Sequence, residues 1–94
     1  MPIGLLTLEI HLPEAHSLKD KRQVVRSLKE RLRNKFNVAV AEIGYQDLWQ
    51  RAALAAVTVS SEHEHAEKVL RSVEDEAASL LGGALAHAEV EWLA

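Results

Sequence analysis

The spacing of apolar residues switches between two periods along this chain, and that order constrains the fold more than any other feature. Residues 3–12 alternate apolar and polar side chains, as a half-buried strand does. Residues 18–35 then repeat apolar side chains every three or four positions, the period of an amphipathic helix. Two more strand patterns, a second helix pattern and a last strand pattern follow. The sequence therefore predicts the order β-α-β-β-α-β.

Capping and breaking residues set the limits of the first two elements. Pro13 ends the first strand because proline has no N–H to donate to a ladder. Ser17, with Asp20 three residues later, has the spacing of a helix N-cap. The helix is predicted to end near Lys35. Its buried positions are predicted to be Leu18, the stem of Lys21, Val25, Leu28 and Leu32.

The remaining elements follow the same signals. Strands are predicted at 36–44 and 53–60, joined by a hairpin loop. A second helix is predicted to begin at Ser60 or Ser61 and to stop at the two glycines 82–83, before a last strand over 84–93. The apolar positions of that helix are Ala66, Val69, Leu70, Val73, Ala77 and Leu80, and those of the last strand are Ala86, Ala88, Val90 and Trp92.

This order is that of a ferredoxin-like α+β sandwich, in which two helices cover one face of a four-stranded antiparallel sheet. With 94 residues, of which 48% are hydrophobic, we expect a single domain over 1–94. The absence of cysteine excludes disulfides and thiol chemistry. No apolar run approaches the roughly 20 residues of a membrane span, and the chain start lacks a basic leader. We therefore expect a cytoplasmic protein with no membrane partner.

Charge is unevenly distributed along the chain. Of the 11 Lys and Arg residues, eight lie between residues 17 and 35, where only Asp20 and Glu30 oppose them. That segment carries a net charge of +6, and the rest of the chain carries −9. Such a division predicts one local anion-binding surface on an acidic body.

Five of these cations follow one another at spacings of three, four, three and four residues, which places them on one flank of the predicted helix. This basic stripe consists of Lys19, Arg22, Arg26, Lys29 and Arg33. With Lys21, these are the predicted contacts to RNA phosphates. Helix stability does not favour such a row, because like charges at these spacings repel. The alternative interpretation is a solvated face balanced by acidic residues of the second helix.

The predicted sheet lacks the aromatic side chains on which RNA-recognition domains of this topology stack bases. The four aromatic residues are Phe36, Tyr45, Trp49 and Trp92, and none lies on the first or third strand. The open face is predicted to carry Thr7, Glu9, His11, His87, Glu89 and Glu91, and its carboxylates would repel phosphates. RNA would therefore bind the helix side or the loops.

No nucleophile elbow, phosphate loop, dinucleotide-binding glycine motif or zinc-protease motif is present, so we expect neither an enzyme nor a cofactor. Glu9, His11 and His87 could hold a metal ion if the first and last strands pair, but a solvated sheet face explains them more simply. Asp47 is interpreted as a turn residue, and Trp49 as closing the edge of the core.

A second functional hypothesis is a protein-interaction or homo-oligomerisation module with no role in nucleic-acid binding. Four alanines of the second and third strands leave a shallow apolar surface if this set faces outward. They are Ala39, Ala41, Ala53 and Ala55. Ferredoxin-like sheets often pair through such faces or through an edge strand, so a homodimer is one form that this alternative predicts.

Two segments carry a family resemblance. They are SLKDKR at 17–22 and FNVAVAE at 36–42, which continues to DLWQ at 47–50. Together they resemble the YlxP-like small bacterial proteins, over nearly the whole chain, although Ala39 stands where that family often has valine or serine. The resemblance implies a ferredoxin-like fold and no established activity. It also implies RNA or the ribosome as a partner, because the family tends to occur beside translation and ribosome-maturation factors.

Overall fold

A computed structural model describes residues 1–94 as a four-stranded antiparallel sheet with two helices on one face. The strands are β1 (Ile3–His11), β2 (Ala39–Gly44), β3 (Arg51–Val59) and β4 (Leu85–Trp92). The helices are α1 (Leu18–Lys35) and α2 (His63–Leu81), and a short 3₁₀ helix (Gly82–Ala84) precedes β4. The strands lie in the order β2-β3-β1-β4. The predicted ferredoxin-like fold is confirmed.

The core lies between the helices and one face of the sheet. Alternation along β1 sends Leu6, Leu8 and Ile10 towards the helices, where each is at most 2% exposed. The other members of the buried core cluster are Val25, Leu28, Leu32, Ala52, Leu54, Ala56, Leu70, Val73 and Ala77. Of the positions predicted to be buried on α1, Lys21, Val25, Leu28 and Leu32 are confirmed, whereas Leu18 is only half-buried and lies outside the core cluster. On α2, however, Leu80 is exposed, and Leu81 packs against the cluster instead.

Helix α1 begins where its capping residues predict. The side chain of Ser17 accepts the backbone N–H of Asp20 at 3.1 Å. The Asp20 carboxylate in turn accepts the N–H of His16 at 3.0 Å, one residue before the cap. Helix α2 differs from prediction, because its N-cap is Glu62 and makes no side-chain capping bond. The hydroxyl of Ser60 instead accepts the N–H of Glu62, outside the helix.

Two register shifts alter the edges of the sheet. Glu9 and Ile10 of β1 pair with His87 and Leu85 of β4, so Ala86 between them has no partner on β1. Ala86 therefore leaves the helix-facing set and lines a cleft on the open face. In β2, a second shift falls between Glu42 and Gly44. Strand β2 also starts at Ala39, later than predicted. The alternation of apolar and polar residues in these strands predicts neither shift.

Gly4 allows α2 and the end of β4 to approach β1. A Cβ at this position would lie 2.6 Å from Leu70 Cδ1 and 2.8 Å from Trp92 Cζ3. The Trp92 ring, whose centroid is 4.0 Å from that of His63, closes the core at this end. Neither helix combines the length and apolarity that a membrane crossing requires.

Candidate nucleic-acid interface

The basic stripe forms one continuous surface on α1. At about 100° per residue, its five side chains fall within a sector roughly 80° wide, centred roughly 110° from the buried side of the helix. Arg22, Arg26, Lys29 and Arg33 line a single shallow groove that reaches Glu42 on β2. Lys19 continues the row towards the start of the helix. The stripe therefore runs along the outer flank of α1, at the β2 edge of the sheet.

None of the five stripe cations has a carboxylate partner. All are exposed except Lys29, which is half-buried. The ion pairs of the molecule are Lys21–Glu42, Arg31–Glu76, Lys35–Glu76, Arg51–Glu9, His63–Glu67 and Arg71–Glu67. Two carboxylates border the groove, and one of them, Glu42, is already paired with Lys21. The stripe retains its positive charge in the folded chain.

The opposite flank of α1 faces α2 and is neutralised there. The Glu76 carboxylate accepts hydrogen bonds from Arg31 at 3.0 Å and from Lys35 at 2.8 Å. The hydrogen bond from Lys35, with the charges of Lys35 and Arg31, holds the pKa of Glu76 below its ordinary value. The acidic second helix thus pairs with two cations of α1, and neither belongs to the stripe.

Lys21 was predicted to contact RNA phosphates, and the structure shows that this prediction is wrong. Its side chain is only 1% exposed, although the sequence grouped it with the phosphate contacts. Its ammonium donates to the backbone carbonyls of Tyr45 at 2.7 Å and Gln46 at 3.2 Å, and it lies 3.2 Å from Glu42 Oε2. Its two hydrogen bonds go to loop carbonyls, and its charge is paired with the Glu42 carboxylate. Lys21 therefore fixes the β2–β3 loop to the first turn of α1 and is closed to a polyanion.

The β2–β3 loop carries two large exposed apolar side chains, Leu48 and Trp49, of which Trp49 was expected in the core. Trp49 is 52% exposed, so the expectation that it closes the core is wrong. It lines an open cleft of about 450 Å³ with Leu48, Asp47 and His11. The loop begins at Tyr45, whose φ of 59° turns the chain and directs its carbonyl towards Lys21.

The open face of the sheet holds a polar network at one end. Arg51 lies over the Tyr45 ring, 4.0 Å from its centroid, and donates to the Tyr45 hydroxyl at 3.0 Å. Both side chains also reach Glu9, Arg51 at 3.6 Å and Tyr45 at 3.3 Å. Glu9 pairs across the strands with His87, as predicted. No group of three imidazole or carboxylate side chains converges into a metal site.

The remaining large cleft lies between the β1–α1 loop and the short 3₁₀ helix. It has a volume of about 400 Å³ and mostly apolar walls, including Leu12, Pro13 and Val24. Its polar side chains belong to His11, Glu14 and Asp20, and the Asp20 carboxylate already accepts the His16 N–H. This lining offers no hydroxyl or amine nucleophile beside a base.

Two comparisons by sequence find uncharacterised relatives. The family model described as "Protein of unknown function (DUF503)" matches residues 3–90. The uncharacterized protein YlxP of Bacillus subtilis (strain 168) is 45% identical over 71 residues, which is 76% of this chain and 77% of the relative. The motif-based resemblance to YlxP-like proteins is confirmed.

Comparison of structures finds the same fold at low identity. A putative antibiotic biosynthesis monooxygenase from Bordetella bronchiseptica has a TM-score of 0.60 at 15% identity, with 100% of this chain and 97% of that chain covered. SnoaB, a cofactor-independent oxygenase from Streptomyces nogalater, has a TM-score of 0.55 at 12% identity, covering 98% and 91%. A dimeric ferredoxin-like protein of unknown function from Thermobifida fusca has a TM-score of 0.51 at 13% identity, also covering 98% and 91%. At these identities the likeness concerns the fold alone.

Proposed function

Because this chain belongs to the DUF503 family of proteins of unknown function, we propose a role for it from the surface that it presents: a non-catalytic RNA-binding module of the bacterial cytoplasm. Ribosomal RNA is the proposed ligand, and the basic stripe is the proposed contact. The observation that carries this proposal is the pairing pattern on α1. The five stripe cations have no carboxylate partner, whereas Arg31 and Lys35 on the opposite flank share one.

The dimensions of the stripe suit a nucleic-acid backbone. From Lys19 to Arg33 the helix rises about 21 Å, at about 1.5 Å per residue. One strand of B-form DNA advances about 3.4 Å per nucleotide, so the stripe spans about six nucleotides of such a strand and somewhat more of an A-form RNA strand, whose rise is shorter. A row of fixed cations displaces the counterions condensed on those phosphates, and their release favours binding.

The proposed recognition is of backbone shape and not of base sequence. No aromatic side chain lines the groove, so the stripe has no platform on which a base could stack. Outside residues 17–35 the chain carries a net charge of −9, which repels phosphates from its other surfaces. Both features favour one-sided contact with structured RNA, and micromolar or weaker affinity at physiological salt is expected from such contacts alone.

The proposal is tested by measuring, through co-sedimentation across a salt series, how strongly the protein binds ribosomal subunits and protein-free ribosomal RNA. If all five cations contact phosphates, the logarithm of the binding constant should fall with the logarithm of salt concentration with a slope of about −4. A slope near zero for protein-free RNA, or no binding at low salt, would contradict it. Binding to subunits but not to RNA would show a protein ligand and would also contradict it.

Matched variants separate the stripe from general charge. Arg22→Gln with Arg26→Gln should weaken binding and make the salt slope about two units shallower, because each lost phosphate contact removes about one. Lys68→Gln with Arg71→Gln removes the same charge from exposed positions on α2 and should leave the slope unchanged. If both double variants lose the same RNA affinity and the same salt slope, the RNA contact does not lie on the basic stripe.

A further inference from the structure

The open face of the sheet is apolar along β2 and β3 and at Leu5 of β1, beyond which β1 turns Thr7 and Glu9 outward. Strand pairing places Leu5 of β1 beside Val57 of β3, and Ala55 of β3 beside Ala41 of β2, all on the side away from the helices. Ile43 and Val59 lie on the same face and are 54% and 52% exposed. We call this surface the apolar face; its members are Leu5, Ala41, Ile43, Ala55, Val57 and Val59. The alanine set of β2 and β3 thus faces outward, the condition on which the interaction hypothesis depended.

A sheet face that meets water in the monomer normally carries polar side chains at alternate positions. The outward positions of β3 between its ends are instead Ala53, Ala55 and Val57. The helices cannot cover them, because α1 and α2 both pack on the opposite face. The helices therefore leave this apolar surface uncovered, although Ala53 and Ala55 in its middle are only 6% and 9% exposed.

The apolar face has both a low centre and projecting side chains. Ala55 is only 9% exposed because its methyl group lies below the level of larger neighbours, so the middle of the face is a hollow. Ile43 and Val59 project beside it. A two-fold interface requires that one surface supply both the projections and the hollows that receive them.

The charges of the sheet lie at the margins of the apolar face. Glu89 and Glu91 belong to the edge strand β4, and Glu9 is paired with Arg51 at one end. A partner centred on β2 and β3 would leave these side chains at a solvated rim. The apolar centre can then be covered without burying an unpaired charge, which is the arrangement of stable interfaces.

The size of the sheet also suits a second copy. At about 3.3 Å per residue and about 4.8 Å between strands, β1, β2 and β3 give a flat footprint of about 380 Å², which β4 raises to about 510 Å². Side-chain relief increases the accessible area above that footprint, towards the roughly 800 Å² per partner of a standard interface. From these observations we propose that a second copy of this chain covers the apolar face, sheet against sheet, in a two-fold homodimer. The helices and the basic stripe remain on the outside.

Sedimentation equilibrium over a range of chain concentrations tests this proposal. The wild type should show twice the mass of one chain at micromolar concentration. Ala41→Glu introduces an unpaired carboxylate at the centre of the contact and should raise the dimer dissociation constant at least about 100-fold. Ala78→Glu makes the same substitution at an exposed position of α2 and should leave the constant unchanged.

A second variant guards against a folding defect. Ile43 is already more than half exposed, so Ile43→Glu should keep the circular dichroism spectrum and melting temperature of the folded chain while it disrupts the dimer. A wild type that stays monomeric up to about 100 μM would overturn the proposal. The proposal would also be overturned if Ala41→Glu and Ile43→Glu both fold and both keep the dimer dissociation constant of the wild type.

Discussion

Lys21 shows how much a single side chain contributes to this molecule. It is the only cation of α1 that is buried, and it holds two carbonyls of the β2–β3 loop together with the carboxylate of Glu42. The only buried side-chain oxygen or nitrogen without a hydrogen bond is Glu42 Oε2, which faces the Lys21 ammonium at 3.2 Å. Without Lys21, that carboxylate would lose its ion-pair partner.

Lys21→Met should therefore lower the free energy of unfolding by about 3–5 kcal/mol, because a partly buried carboxylate loses its counter-charge and two carbonyls lose their donor. Urea denaturation measures the effect. Lys19→Met changes an exposed residue two positions away and should shift the free energy by at most about 0.5 kcal/mol. Adding Glu42→Gln to Lys21→Met should recover part of the loss; strictly additive effects would show that the two side chains do not interact.

The sequence predicted burial of the Lys21 stem but not the partners of its ammonium. Helical periodicity places residue 21 on the inner side of α1, and that placement is confirmed. The partners come from a loop 24 residues later, where a left-handed conformation at Tyr45 turns a carbonyl inward. No local pattern reports that turn, because Tyr45 is not a residue type that favours it. For the same reason the exposure of Trp49 was mispredicted.

At the scale of elements, the two flanks of α1 have different electrostatic environments. The inner flank meets α2 through Glu76, and the outer flank carries the basic stripe. Periodicity alone predicted that five cations share a flank. Which flank faces the second helix depends on how the two helices lie across the sheet, and the sequence pattern does not specify that.

The link between the helices should depend on pH. Because the pKa of Glu76 is lower in the folded chain than in the unfolded chain, its contribution to stability is present above the unfolded value and is lost as the pH falls through the folded one. Between pH 6 and pH 3, the wild type should therefore lose more unfolding free energy than Glu76→Gln. High salt should reduce the difference, since the pairs are partly exposed.

Asp75→Asn is the matched control for this pH dependence. Asp75 is the exposed neighbour of Glu76 and makes no ion pair, so its variant should keep the wild-type loss of stability. Urea denaturation at a series of pH values compares the three chains. If the free energy of unfolding of Glu76→Gln changes with pH as that of the wild type does, then protonation of Glu76 does not weaken the contact between α1 and α2.

At the scale of the whole molecule, the two proposed surfaces lie on different layers. The basic stripe belongs to the helical layer, and the apolar face belongs to the far side of the sheet. The β-α-β-β-α-β order was sufficient to predict these layers, because alternation in β1 and periodicity in both helices agree on one core. The edge bulges were not predictable, since each depends on a partner strand distant in sequence.

The two surfaces should therefore act independently. Arg22→Gln with Arg26→Gln should leave the dimer dissociation constant within about threefold of the wild type, because no stripe residue approaches the apolar face. Conversely, Ala41→Glu should keep the wild-type salt slope for RNA. Sedimentation equilibrium and RNA titration on the same preparations measure both quantities. A loss of RNA binding that accompanies dimer dissociation would show that the RNA contact spans two copies of the chain.

The bulge in β2 limits how far this chain can assemble. A straight outer strand presents a row of free N–H and C=O groups on which further strands of other molecules add, and such growth continues into fibres. The shift between Glu42 and Gly44 interrupts that row and twists the outer strand away from a flat template. At the other edge, the shift at Ala86 interrupts β4 in the same way. Lateral growth is thus disfavoured at both edges, and the proposed association through the broad side of the sheet closes at two chains.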